Sequence, residues 1–186
     1  MTAMLTATDP ATGNEVRSMP AAGPTEVEAV LARAESAFPE WRDAGFEARA
    51  RLLRAVGAEL RRGVDDYAMM MTEEMGKPIT EARGEVVKAA WAAEHYAEHG
   101  ADYLSPDVVE SDATLSYVQY LPLGPVLGVL PWNAPFWLAF RFCAPALMAG
   151  NTCVMKHDPH VPGAPPPSRV LSARSGPPTV SSPPSR

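Results

Sequence analysis

Two side chains stand where an α/β protein does its chemistry. Asn133 follows Trp132 in the run Leu127-Gly128-Val129-Leu130-Pro131-Trp132-Asn133-Ala134-Pro135-Phe136-Trp137, and Lys156 ends the run Gly150-Asn151-Thr152-Cys153-Val154-Met155-Lys156. The first run reads as a buried strand, a loop and the start of a helix. The second reads as a turn and another buried strand. Together they predict one right-handed βαβ unit with both side chains at the carboxyl ends of its strands, the edge at which open α/β sheets bind ligands. A carboxamide NH2 is a neutral donor that does not titrate near neutrality, so Asn133 can donate to a developing oxyanion. It reads equally as a turn asparagine ahead of Ala134-Pro135. Lys156 can meet the ribose or a phosphate of a nucleotide lying across the strand ends, or it is a solvated strand terminus. Trp132 can flank such a ligand or fill the space below the loop.

Other constellations read as structural. The phosphate-gripping pattern G-x-G-x-x-G is absent, since Gly124 and Gly128 lie before and within the first strand. His95-Tyr96-Ala97-Glu98-His99 fits the inverted zinc-protease pattern, and its two histidines are one helical turn apart. That chemistry needs a further acidic ligand from a second helix, and this stretch reads instead as a charged, solvated helix end. No metal is expected. His157-Asp158 reads as loop, because adjacent residues rarely aim at each other. Cys143 and Cys153 lack metal-ligand spacing and read as reduced, buried thiols.

The elements that must position Asn133 and Lys156 follow from periodicity and punctuation. Residues 1–24 read as an extended arm with a turn at Asp9-Pro10-Ala11-Thr12-Gly13. Thr25-Glu26-Val27-Glu28 reads as a capping box opening a helix over 25–38, with Val27, Val30, Leu31 and Ala34 on one face and Pro39 as its end. A second helix over 47–62 buries Leu52, Leu53, Val56 and Leu60 and turns its arginines to water, with Gly63 as its stop. A third over 65–75 ends at Gly76-Lys77-Pro78. A fourth over 80–99 buries Val86, Ala89, Ala90, Ala93, Tyr96 and Ala97, with Gly100 as its stop. Residues 113–121 alternate as a strand. Residues 127–130 predict a buried parallel strand, 136–148 a crossover helix containing Pro145, and 152–156 the second strand.

Composition divides the chain. Of 186 residues, 46% are hydrophobic and 20% charged, as in ordinary globular proteins. Yet 8 of the 20 prolines fall in the 25 residues from Pro162 to Arg186, with six serines, three arginines and no acid. Subtracting this segment's +3 from the formal −6 leaves −9 on the rest. An acidic body argues against nonspecific nucleic-acid binding. No apolar run is long enough to span a membrane and no signal-peptide pattern opens the chain, so a cytoplasmic protein is expected. Residues 164–186 read as a disordered tail, set apart from a body over 1–163. Their Pro/Ser/Arg/Gly bias is what GC-rich DNA yields out of frame, which suggests a frameshift near Gly163.

Taken in order, several segments resemble the aldehyde dehydrogenase superfamily. They are Asp9-Pro10-Ala11-Thr12-Gly13, Phe38-Pro39-Glu40-Trp41-Arg42, Glu73-Glu74-Met75-Gly76-Lys77-Pro78 with Glu81-Ala82 and Glu85-Val86, and the block from Pro125 to Lys156 carrying Pro131-Trp132-Asn133-Ala134-Pro135 and Gly150-Asn151-Thr152. The Lys156-His157 ending looks closest to the bacterial succinate-semialdehyde branch. The resemblance implies an α/β fold: N-terminal helices and the start of a Rossmann-like NAD(P)-binding sheet, with an oligomerisation strand at 113–121. It implies oxidation of an aldehyde to a carboxylic acid with NAD or NADP, in a homo-oligomer without nucleic-acid or membrane partners. It makes Asn133 the side-chain oxyanion donor, places Leu130, Pro131 and Trp132 beside the cofactor, and gives Lys156 the adenosine ribose. Pro159 stands where many members carry a ribose-binding glutamate, so NAD and NADP both remain open. Neither Cys143 nor Cys153 matches the family nucleophile, and the family's glutamate base and cofactor glycines lie downstream of the Lys156 block. The chain alone is therefore expected to be an inactive N-terminal fragment. The rival expectations are a non-catalytic module that associates with a full-length relative, and an unstable product.

Overall fold

The computed structural model describes residues 3–163. Two strands, β1 (Met4–Thr8) and β2 (Glu15–Pro20), open the chain as an antiparallel hairpin. The segment expected as an extended arm is thus paired, and Asp9 closes the turn by accepting from the Ala11 N–H at 2.8 Å and the Thr12 hydroxyl at 3.0 Å. Four helices follow: α1 (Pro24–Asp43), α2 (Gly45–Arg62), α3 (Val64–Met75) and α4 (Ile79–Tyr103). A short ribbon, β3 (Asp107–Val108) with β4 (Tyr117–Val118), leads to the βαβ unit of β5 (Pro125–Val129), α5 (Pro135–Met148) and β6 (Thr152–Lys156). β5 and β6 pair in parallel, with Val129 opposite Lys156.

One core joins these elements. Leu52, Leu53, Val56 and Leu60 of α2 meet Val86, Ala89, Ala90 and Ala93 of α4, whose far side packs on Phe136, Phe140, Cys143 and Met148 of α5. The alanines let α4 lie close to both neighbours. Gly100, read from sequence as the stop of α4, lies inside the helix, and a Cβ there would strike Met148. It is a glycine of helix crossing, not of termination.

Other expectations are corrected in the same way. The N-cap of α1 is Gly23, two residues before the Thr25 that the capping box predicts. Pro24 takes the first helical position and the Glu26 carboxylate accepts from the Gly23 N–H at 2.7 Å. The helix also runs through Pro39 to Asp43. A helix-interior proline costs about 3 kcal/mol, but the turn beyond it buries Trp41, whose Nε1 donates to the Leu147 carbonyl at 3.1 Å. Burying a large aromatic contributes on the order of 3–5 kcal/mol, enough to carry the helix past the proline. Val30 and Ala34 are buried as read, whereas Val27 and Leu31 are exposed. Not every α2 arginine faces water. Arg49 is buried and donates to the carbonyls of Arg42 at 2.6 Å, Met148 at 3.1 Å and Trp41 at 3.4 Å. Its cation joins the carboxyl ends of α1 and α5, where helix dipoles favour positive charge.

The strand expected over 113–121 shrinks to Tyr117–Val118. Its alternation was apolar on both faces, and nothing among the described residues covers either face; Leu115, Tyr117 and Leu121 are all exposed. β5 is likewise not the wholly buried strand expected. Leu127 is 64% exposed and Val129 68%, while Gly128 between them faces α5 beneath the Phe142 ring. β6 is buried along its length up to Lys156. The disordered-tail and frameshift readings fall on 164–186, outside the described residues.

Candidate functional site

The carboxyl ends of β5 and β6 are tied by one bond beyond the strand itself: the Leu130 N–H donates to the Lys156 carbonyl at 3.0 Å. That bond brings the loop Pro131-Trp132-Asn133-Ala134 and the Lys156 side chain to one edge. Pro131, Trp132, Asn133 and Lys156 are exposed there and Leu130 is half-buried. Trp132, at 46% exposure, lies in the open and does not fill the space below the loop. All five residues singled out by sequence therefore share one solvent-facing edge.

What holds this edge comes from α4. Glu85 is buried, and its Oε1 accepts from the N–H groups of Phe136 at 2.8 Å and Trp137 at 3.1 Å. These are first-turn donors of α5, which no carbonyl of that helix can satisfy. The other Glu85 oxygen pairs with the Lys77 ammonium, which is itself mostly buried. Lys77 Nζ then donates to the Asn133 carbonyl at 2.9 Å. The loop is thus gripped by its backbone, and among the described residues these bonds leave the Asn133 side-chain amide unused. The arrangement has an electrostatic consequence. The N-terminus of a helix commonly receives an anion, but a protein carboxylate already fills that place at α5, so a ligand phosphate must be met elsewhere on the edge.

At the opposite ends of the strands, Asn151 does the corresponding work. Its Oδ1 accepts from the N–H groups of Leu123 at 2.7 Å and Gly124 at 3.1 Å, and its Nδ2 donates to the Ala146 carbonyl at 3.3 Å. Gly150 beside it takes φ +92, and a Cβ there would meet the Arg49 guanidinium at 2.7 Å. Sequence reading passed over Glu85, Lys77, Asn151 and Arg49 as site supports. One signal was available for Glu85: it lies three residues after Ala82 and four before Ala89, on the apolar stripe of α4, where a charged residue needs a partner.

The segment after Lys156 runs back to α3. His157 is largely buried with no hydrogen-bond partner for Nε2 among the described residues, and burial pulls its pKa below the ordinary value. Asp158 pairs with His160 at 2.7 Å rather than with His157, so the adjacent pair is no dyad. Glu74, on α3, accepts from the Gly163 N–H at 3.0 Å and pairs with Arg17 at 2.7 Å. Its pKa is nevertheless raised, because burial outweighs both partners. Both cysteines are free and buried. Cys143 donates to the Met155 sulfur at 3.2 Å, and burial pushes its thiol well above the usual range. Neither is placed to act as a thiolate nucleophile.

Comparison with known proteins bears on the family and the fold. A model of the "Aldehyde dehydrogenase family" matches residues 2–165. The chain is 44% identical over 158 residues to an aldehyde dehydrogenase of Paenarthrobacter nicotinovorans, and 41% over 157 residues to an Escherichia coli protein named succinate semialdehyde dehydrogenase [NAD(P)+]. In both cases the match covers 83% of this chain and 34% of the relative, so the chain spans about a third of the relatives' length. Among solved structures, succinic semialdehyde dehydrogenase from Streptococcus pyogenes in complex with NADP+ superposes with a TM-score of 0.87 at 31% identity, covering 95% of this chain and 40% of that one. Match, fold and the order of the shared segments agree: the chain belongs to the aldehyde dehydrogenase family.

Proposed function

We propose that this chain forms the N-terminal portion of the cofactor-binding domain of an NAD(P)-dependent enzyme that oxidises an aldehyde to its acid, with succinate semialdehyde as the leading substrate. The observation that carries the reading is the common edge: Lys156 and the 130–133 loop, locked together by the Leu130–Lys156 bond. The donor set suits a dinucleotide. An exposed ammonium can meet ribose hydroxyls or phosphate, an exposed indole can flank a ring, and a carboxamide can donate to an oxyanion. The bound cofactor would supply the hydride acceptor. Lys156 would hold the adenosine ribose, Leu130, Pro131 and Trp132 would border the cofactor, and Asn133 would stabilise charge on the aldehyde oxygen. Pro159 offers no carboxylate to a ribose 2′-oxygen, which removes one source of repulsion toward the 2′-phosphate of NADP.

With Cys143 and Cys153 both buried, the attacking thiolate of such a reaction must come from sequence outside this chain. The purified chain, given succinate semialdehyde and NADP+, should therefore form no NADPH. It should still react at Lys156 with periodate-oxidised NAD+, whose adenosine ribose keeps the vicinal diol that becomes a dialdehyde and captures a neighbouring lysine, and excess NAD+ should protect it. Turnover by the chain alone, or labelling spread evenly over lysines, would contradict the assignment.

The exposed Leu127 and Val129 favour a second reading, a non-catalytic piece that associates with a full-length relative. Co-purification of the tagged chain with such a relative supports it; a purely monomeric chain in the same extract counts against it.

A further inference from the structure

The outer face of α4 carries a file of rings that the site does not use. Trp91, His95, His99 and Tyr103 follow one another at helical spacing, with Trp91 52% exposed and Tyr103 58%. Adjacent rings are in contact: the centroids of Trp91 and His95 lie 5.1 Å apart, those of His95 and His99 4.8 Å, and those of His99 and Tyr103 6.1 Å. The Tyr103 hydroxyl lies 3.0 Å from His95 Nε2 in a hydrogen bond, so this ring nitrogen already meets an oxygen. Glu98 brings a carboxylate to 3.8 Å from His99 Nε2.

We propose that His95 and His99 form a peripheral two-imidazole site for a late first-row transition-metal cation. Two histidines one helical turn apart share one helix face, the relation that zinc-binding helices use, and here their ring centroids lie 4.8 Å apart. Imidazole suits Cu(II), Ni(II) and Zn(II) and not the hard cations Mg(II) and Ca(II). Among the described residues no group of three or more His, Cys, Asp or Glu is placed around a cation. The protein therefore supplies a two-point chelate, water completes the sphere, and the Tyr103 hydroxyl either yields its place at His95 or becomes a third ligand. Glu98 adds nearby negative charge that favours a cation. The pattern that resembles a protease motif in sequence acts here as a surface chelate, since no second-helix carboxylate joins it.

The test is calorimetric titration of the full chain with Ni(II) and with Cu(II), beside His95→Ala, His99→Ala and His160→Ala. His160 is exposed and His95 and His99 are half-buried on the outer face of α4, so circular dichroism should show the same helix content in each. The expected result is one tight equivalent for wild type and for His160→Ala, weakened roughly tenfold or more in either α4 variant. Cu(II) should also quench the Trp91 fluorescence that its ring contact with His95 exposes to the metal. Trp91→Phe should lose that quenching and keep the binding. Wild-type binding that is absent, or that survives in both His95→Ala and His99→Ala, overturns the proposal.

Discussion

At the scale of single residues, the site rests on charges that are buried but accounted for. Breaking a buried ion pair by removing one partner costs about 3–5 kcal/mol. Glu85→Ala should lose at least that much in urea denaturation, since it strands Lys77 and frees two donors of α5 together. A loss below about 1 kcal/mol, the ordinary value of one net hydrogen bond, would show that the grip is not as described. Two other groups titrate with opposite sign. Burial raises Glu74 above its reference value of 4.5, so the folded state favours the protonated carboxyl. Its contribution to stability is therefore complete below 4.5 and declines as pH rises through the folded value. Burial lowers His157 below its reference value of 6.5, so the folded state favours the neutral ring, and its contribution is lost as pH falls below 6.5. Unfolding free energies of wild type, Glu74→Gln and His157→Gln across this range check both. The Glu74 advantage over Gln must shrink with rising pH, and the His157 advantage over Gln must shrink with falling pH.

At the scale of elements, the sequence showed which segments are helical far better than it showed where they end. Leu52, Leu53, Val56 and Leu60 marked the buried face of α2 because a repeat of apolar residues reports burial directly. Pro39 and Gly100 misled because stop residues are local signals, overridden when tertiary contacts reward continuation. Trp41 supplies that reward in α1 and Met148 supplies it in α4. The two explanations of Gly100 predict opposite signs. If the glycine were only a weak helix position, Gly100→Ala would stabilise α4 by about 1 kcal/mol. Because a Cβ strikes Met148, the substitution should instead destabilise by about 1–3 kcal/mol, read from the midpoint of thermal unfolding. Asn133, Trp132 and Lys156 were legible because strand ends can be found from apolar runs. Their supports were not, since the bond from Glu85 to α5 spans 51 residues of sequence and leaves no local trace.

At the scale of the whole molecule, the described residues hold one parallel pair of strands, β5 and β6. The chain spans about a third of its curated relatives' length. Leu127 and Val129 on β5 are exposed apolar side chains of a two-stranded sheet, of the kind that pairs or aggregates. Sedimentation of the purified chain should show association that grows with concentration, and Leu127→Lys with Val129→Lys should suppress it without loss of helix content. An unchanged association would place the contact elsewhere. The central claim is that the joined ends of β5 and β6 form a dinucleotide-binding edge, and calorimetric titration with NADP+ tests it most directly. The account predicts binding by the wild-type chain that weakens by about tenfold, or about 1.4 kcal/mol, in Lys156→Ala. NADP+ affinity that is the same in the two proteins, or no binding at all by the folded chain, would contradict it.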